Sequence, residues 1–293
     1  MIFLIVSLIC SILFGISFKI IAIKKINSLQ AILINYVVAG SLGFMTTKSN
    51  VTPLTVFTQP WSWMAIFLGF VFITSLIVIA ETTSKYGISV AQVANRMSVV
   101  IPISIAVIFY GDHLTLFKIV GIMLALVAVY LVSHKETATK SSQKLWWLFP
   151  AIIFICSGII DSGINYAQRH LINDTNFDAF LAGIFSTAFI LGSIFLIQQL
   201  LVGKQKLQAI SIPTGIAMGL LNFGCMYFFV LALNSNLFET STLFPINNLT
   251  VLTLSTVISV LIFKEKLSKK NWLGISLSLG AIIILGFLPT LCN

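Results

Sequence analysis

Long apolar stretches alternate with short polar breaks along the whole chain, a pattern that predicts helices crossing a membrane rather than packing in water. About 20 apolar residues span a hydrocarbon core about 30 Å thick. Ten stretches answer to that length: 2–23, 31–47, 62–80, 88–110, 115–133, 146–168, 178–201, 211–233, 240–262 and 272–291. The most polar break, HKETATKSSQK from His134 to Lys144, lies near the middle of the chain, and no stretch is left over for a water-soluble domain. Trp61, Trp63, Trp146, Trp147 and Trp272 stand at or beside the starts of predicted spans, where amphipathic rings settle at the interface. The opening MIFLIVSLICSILFGISFK lacks a basic lead and a small-residue cleavage site, so it is expected to remain as the first span.

The central break divides the chain into a first half (1–133), a connection (134–145) and a second half (146–293), with five predicted spans in each half. A constant offset of 153 aligns Asp112 with Glu265, Leu114 with Leu267, Thr115 with Ser268, Gly121 with Gly274 and Asn95 with Asn248. Five matches at one offset, in equivalent spans, argue for an internal repeat. Because five is odd, the second half enters the membrane upside down relative to the first, a recurrent plan of secondary transporters. The expected fold is therefore all-α and integral to the membrane, with ten transmembrane helices in two inverted five-helix repeats.

Composition sharpens the class. Of 293 residues, 58% are hydrophobic and only 9% charged, whereas soluble domains carry about 25% charged residues. That excludes a soluble enzyme and a secreted disulfide scaffold. The net charge of +9 would suggest a nucleic-acid partner in a soluble protein, but here it reads as topology. Thirteen of the seventeen Lys and Arg fall on the odd-to-even connections and three on the others, which places the basic connections in the cytoplasm and both termini outside. The seventeenth, Arg96, lies inside a span.

Ten spans, two inverted fives and a duplicated acidic-x-Leu-Ser/Thr turn resemble the ten-helix EamA-type branch of the drug/metabolite transporter superfamily. Here the turns read Asp112-His113-Leu114-Thr115 and Glu265-Lys266-Leu267-Ser268, each followed by a glycine. The resemblance covers essentially the whole chain. It implies a secondary-active carrier, commonly an exporter, that moves small organic solutes by alternating access without ATP. One departure concerns sidedness: many relatives keep their termini in the cytoplasm, whereas the charge count here puts them outside.

Candidate chemistry lies where the membrane tolerates polar groups least, since ionisable side chains within spans cost several kcal/mol unless they face a cavity or a partner. Arg96 lies near the midplane of span 4, with Gln92 and Asn95 beside it. Its guanidinium is a candidate fork for a substrate carboxylate or phosphate, or else an internal clamp that fixes helix packing. Asp161 belongs to a stripe of Ser157, Asp161, Asn165 and Gln168 on one face of span 6. The small multidrug exporters are similar in keeping a proton-binding carboxylate on the equivalent helix, which makes Asp161 the candidate proton carrier. A salt bridge with Arg96 and a solvated cavity carboxylate are its alternatives. Asn248, beside Asn247 and near Ser241 and Pro245, supplies the mirror-related patch on span 9, and Pro102 is expected to loosen span 4. Asn222 and Tyr227 on span 8 are weaker candidates that also suit helix–helix glue. Phe14 and Tyr166 are candidates to wall the cavity.

One Arg, one Asp and several amides suit a zwitterion or organic anion, so amino-acid-like or organic-anion solutes are the expected cargo. An exporter of drugs or other lipophilic solutes is the alternative, ahead of a channel or lipid-moving protein. No nucleophile–base constellation, metal-ligand spacing or phosphate loop is readable, so neither enzyme activity nor a cofactor or metal is expected. Asp112, Glu265, Glu81 and Glu239 read as turn or interfacial groups. Expected partners are the solute, the bilayer and a coupled proton, with no nucleic acid; spans 5 and 10 are candidates for packing or for association into a homodimer. The expected location is the cell membrane, multi-pass, as in the inner or plasma membrane of a prokaryote. A cysteine placed beside Lys269 should be shielded from an impermeant thiol reagent in intact cells, and one beside Asn50 should react; the reverse labelling contradicts the orientation.

Overall fold

Where the apolar stretches run, the backbone is helical. The structure, a computed structural model, describes residues 2–47, 49–102, 104–105, 116–133, 147–203, 205–235 and 240–286. Ten α-helices have defined ends: α1 (Ile2–Ile23), α2 (Ser28–Thr46), α3 (Ser62–Tyr86), α4 (Ile88–Met97), α5 (Leu116–Ser133), α6 (Leu148–His170), α7 (Phe177–Leu201), α8 (Ser211–Asn234), α9 (Thr240–Leu261) and α10 (Lys269–Gly286). Short 3₁₀ turns at Val56–Thr58 and Asp174–Asn176 complete the set, and the described residues contain no strand. Among the described residues, six helices (α1, α2, α3, α6, α7 and α8) are long and apolar enough to cross a membrane. Shorter apolar helical segments cover Ile119–Val132 and Asn247–Leu261. The turn Asp112–Thr115, the central connection, Glu239 and the side chains of Ser241 and Pro245 lie outside the described residues.

The apolar surface is turned outward as well as inward. Ile5, Ile9 and Leu13 on α1, Ile66 and Phe70 on α3, and Ile190, Ile194 and Ile197 on α7 are all exposed. Apolar faces this extensive are not left in water by soluble proteins, so the chain is built as a multi-pass membrane protein.

Two apolar clusters organise the interior. One joins α1, α2, α3, α7 and α8 through Phe18, Ile32, Tyr36, Leu68, Phe180 and Met218. The other joins α4, α5, α9 and α10 through Val93, Met97, Ala125, Leu252 and Ile275. Lipid offers no hydrophobic drive for helices to pair, so close backbone approach through small residues does that work. A Cβ at Gly219 of α8 would lie 2.6 Å from Val38 Cβ and 2.9 Å from the Asn35 carbonyl of α2. One at Gly69 of α3 would lie 2.5 Å from Thr187 Cβ and 2.8 Å from the Ile184 carbonyl of α7.

Span 4 is interrupted. α4 ends at Met97, a turn occupies 98–99, and helix resumes at 100. Pro102 has no N–H for the Ser98 carbonyl, which instead accepts from Ile101 N at 2.9 Å in a tighter turn. At the other end, Gly87 at φ 104° separates α3 from α4, a conformation open to glycine at little cost. The result is a ten-residue helix with both ends exposed to chemistry.

Candidate functional site

Arg96 sits in the last turn of α4, where a cation complements the negative end of the helix dipole. Counted from Ile88 it lies about 12 Å along the helix axis, at the seam where α4 packs against α9. Its Nη1 donates to Asn248 Oδ1 of α9 at 3.0 Å. Its Nε is buried and has no partner among the described residues, and neither has Oε1 of Gln92, one turn earlier on α4, nor Oδ1 of Asn247 on α9. Gly15 of α1 leaves room for the Gln92 amide, because a Cβ there would collide with its nitrogen. α8 packs on the same helix α1: Ser7 of α1 donates to the Cys225 carbonyl at 2.7 Å.

Asp161 faces this group from α6. α6 packs against α4. Arg96 and Asp161 form no contact salt bridge, which corrects the direct pair weighed from the sequence. Asp161 is solvent-accessible although it lies mid-helix, as are Asn165 and Gln168 on the same stripe, whereas Ser157, deeper along it, is buried. That stripe is the polar face of α6.

A cavity of about 290 Å³ adjoins it, lined by Phe67 of α3, Ile101, Pro102 and Ile105 after the break, and Ile159, Ser162, Asn165, Tyr166 and Arg169 of α6. Its walls are mostly apolar, with an amide, a phenol and a cation among them. Tyr166 also leans on His170, ring centroids 4.9 Å apart.

Of the residues singled out from sequence, Arg96 and Asn248 are joined by a hydrogen bond, Gln92 lies one turn from Arg96 on α4, and Asn165 and Tyr166 line the adjoining cavity. Three do not join them. Asn222 donates to Asn35 Oδ1 at 3.1 Å and ties α8 to α2, because both amides are buried in that interface and each needs a partner. Phe14 packs edge-to-face on Phe18, centroids 5.2 Å apart, against the larger apolar cluster. Tyr227 stacks on Phe223 along α8. Glu265, read as a turn residue, reaches much farther: it pairs with Lys19 at 2.6 Å and accepts from Ile88 N at 3.0 Å. Gly87, lying alone between two apolar stretches, was the sequence signal for that approach, but nothing in the chain named the carboxylate.

No family model matches the chain. An uncharacterized protein of Haemophilus influenzae is 28% identical over 290 residues, 97% of each chain. A solved protein structure superposes on 98% of this chain and 97% of its own with a TM-score of 0.62 at 12% identity. At that identity the likeness is one of fold, and it extends over both full lengths.

Since Arg96 and Asp161 are not in contact, breaking the relation between them should cost little. Asp161→Asn should leave the thermal unfolding midpoint in detergent near that of the parent. Loss of a buried contact pair would instead cost about 3–5 kcal/mol and be recovered in Arg96→Met/Asp161→Leu.

Proposed function

We propose that the chain is a secondary-active carrier of small organic solutes, with ten spans in two inverted five-helix repeats and the solute held at the Arg96 seam. The packing supports the repeat. Exchanging α1 with α6, α2 with α7, α3 with α8, α4 with α9 and α5 with α10 turns the α1–α8 contact into α3–α6. It likewise turns α2–α8 into α3–α7, α1–α9 into α4–α6, and α4–α5 into α9–α10; every one of these pairs is packed. The contacts α2–α7, α4–α9 and α5–α10 map onto themselves. The exchanged pairs α2–α8 and α3–α7 are also the two drawn close by Gly219 and Gly69.

The observation that carries the reading is the half-satisfied guanidinium. Among the described residues, Arg96 is held by a neutral amide, its Nε has no partner and no carboxylate touches it. A buried cation in that state favours an anionic group from outside the protein. Asp161, accessible on the facing helix, suits the ammonium of a zwitterion or a coupled proton. The apolar cavity alongside suits the remainder of the solute. An amino-acid-like or organic-anion cargo is thus preferred, with a lipophilic body admitted by the cavity. The combination of span pattern and charge fits the cell membrane of a prokaryote, with export as the direction the resemblance implies.

Counterflow in liposomes tests this. The parent should exchange a labelled solute against an unlabelled pool, and Arg96→Ala should abolish exchange while remaining folded and monodisperse. Lys at this position should rescue in part, because an ammonium lacks the bidentate fork. Asp161→Asn should lose uptake driven by a pH gradient yet retain exchange at equal pH. Parental exchange in both single variants contradicts the site.

A further inference from the structure

The two ends of the seam differ. On the side of the α6 C-terminus, Asp161, Asn165 and Gln168 are accessible. On the other, where α1, α3 and α9 end and α4 begins, one carboxylate gathers the elements. Glu265 Oε1 pairs with Lys19 Nζ of α1 at 2.6 Å and accepts from the first amide of α4, Ile88 N, at 3.0 Å. Its Oε2 accepts from Ser259 Oγ of α9. The Lys19 and Glu265 side chains are only 17% and 10% exposed, so this is not a loose surface pair. By comparison, Lys85 and Glu81 at the end of α3 are 51% and 46% exposed.

Local backbone geometry is committed to this contact. Lys264 takes φ 51°, which is costly for a residue with a Cβ, and it turns the chain so that Glu265 N donates to the Ser259 carbonyl at 3.1 Å. Gly87 has φ 104°, and a Cβ there would lie 2.6–2.8 Å from all three carboxylate atoms of Glu265. Any other residue at position 87 both strains the turn and drives the carboxylate off the helix end. The positive end of the α4 dipole and its free amide add to the hold on the anion. The same short helix carries Arg96 in its last turn.

We infer that Glu265, Lys19 and the Gly87–Ile88 helix start form a latch that closes the basic end of the solute path and must release for that end to open. The inference rests on the carrier reading, because only an alternating path needs a gate. The latch joins α1, α4 and α9, which meet beside Arg96, to the one end of the seam at which the bordering polar stripe is not accessible. Release frees α1 and α9 from the start of α4 together, since a single carboxylate holds all three.

Cys225, native to α8 and tied at its carbonyl to Ser7 of α1, reports on the path behind the latch. With Cys10, Cys156 and Cys292 replaced by Ala, inside-out membrane vesicles are treated with an impermeant maleimide, no solute being present. Glu265→Gln, Lys19→Gln and Gly87→Ala should each raise the labelling rate of Cys225 at least about fivefold over the latched parent. Lys19→Gln leaves the carboxylate on the α4 start, and Gly87→Ala leaves both charges in place, so a folding defect in Glu265→Gln does not remove the test. Unchanged labelling in the folded variants overturns the latch, and so does reaction limited to a cysteine placed at Ser89, directly behind it, because that is fraying rather than opening. Labelling needs no solute, so its failure is separate from a failure of counterflow in the Arg96 variants.

Discussion

A guanidinium within an apolar bundle has to be answered by something, and the arrangement around Arg96 follows from that requirement. Isolated charges in hydrocarbon cost several kcal/mol, and proteins meet the cost with partners, cavities or water. This chain supplies one neutral amide, Asn248, in direct contact. Among the described residues no carboxylate pairs with the guanidinium, and Asp161 on the neighbouring α6 is solvent-accessible. On the proposed reading, the remaining valence is the one a solute fills.

The short helix α4 links this chemistry to the architecture. Pro102 cuts span 4 below Ser98, and Gly87 separates it from α3. Between these breaks lie ten residues with an anion at the N-terminus and a cation in the last turn, both placed as the helix dipole favours. Discontinuous helices whose ends face a binding site are a recurrent device in membrane carriers. Here the two ends are served by different elements: Glu265 answers the first amide and Asn248 the guanidinium, one just after α9 and the other within it. A rigid displacement of α9 would thus alter both ends of α4 together.

Much of the helix pattern was legible in the chain because hydrocarbon thickness dictates the length of an apolar run, so that α1, α3, α7 and α8 start where the apolar stretches do. The interruption of span 4 was signalled by Pro102, although its position was not: the missing hydrogen bond shows itself four residues earlier, at Ser98. Arg96, Asp161 and Asn248 stood out because polar groups in spans are costly. What sequence could not provide was the partner of each. Asn222, a weaker candidate that also suited helix–helix glue, bonds to Asn35, an amide from another span facing it across a glycine-packed interface. Glu265 looked like a turn residue because its partners, Lys19 and Ile88, lie 246 and 177 positions away. Local pattern reports which groups need a partner, and tertiary packing decides which partner they receive.

The central claim is that the Arg96 seam accepts an anionic group from a small solute. It is tested most directly by equilibrium binding to the purified protein, read as a shift in unfolding midpoint. Amino acids and short organic acids are compared with their uncharged methyl esters, which keep the same apolar body. The account predicts that one or more free acids raise the midpoint and that the matching esters do not. Equal shifts from acid and ester, or shifts confined to neutral or cationic compounds, would contradict it.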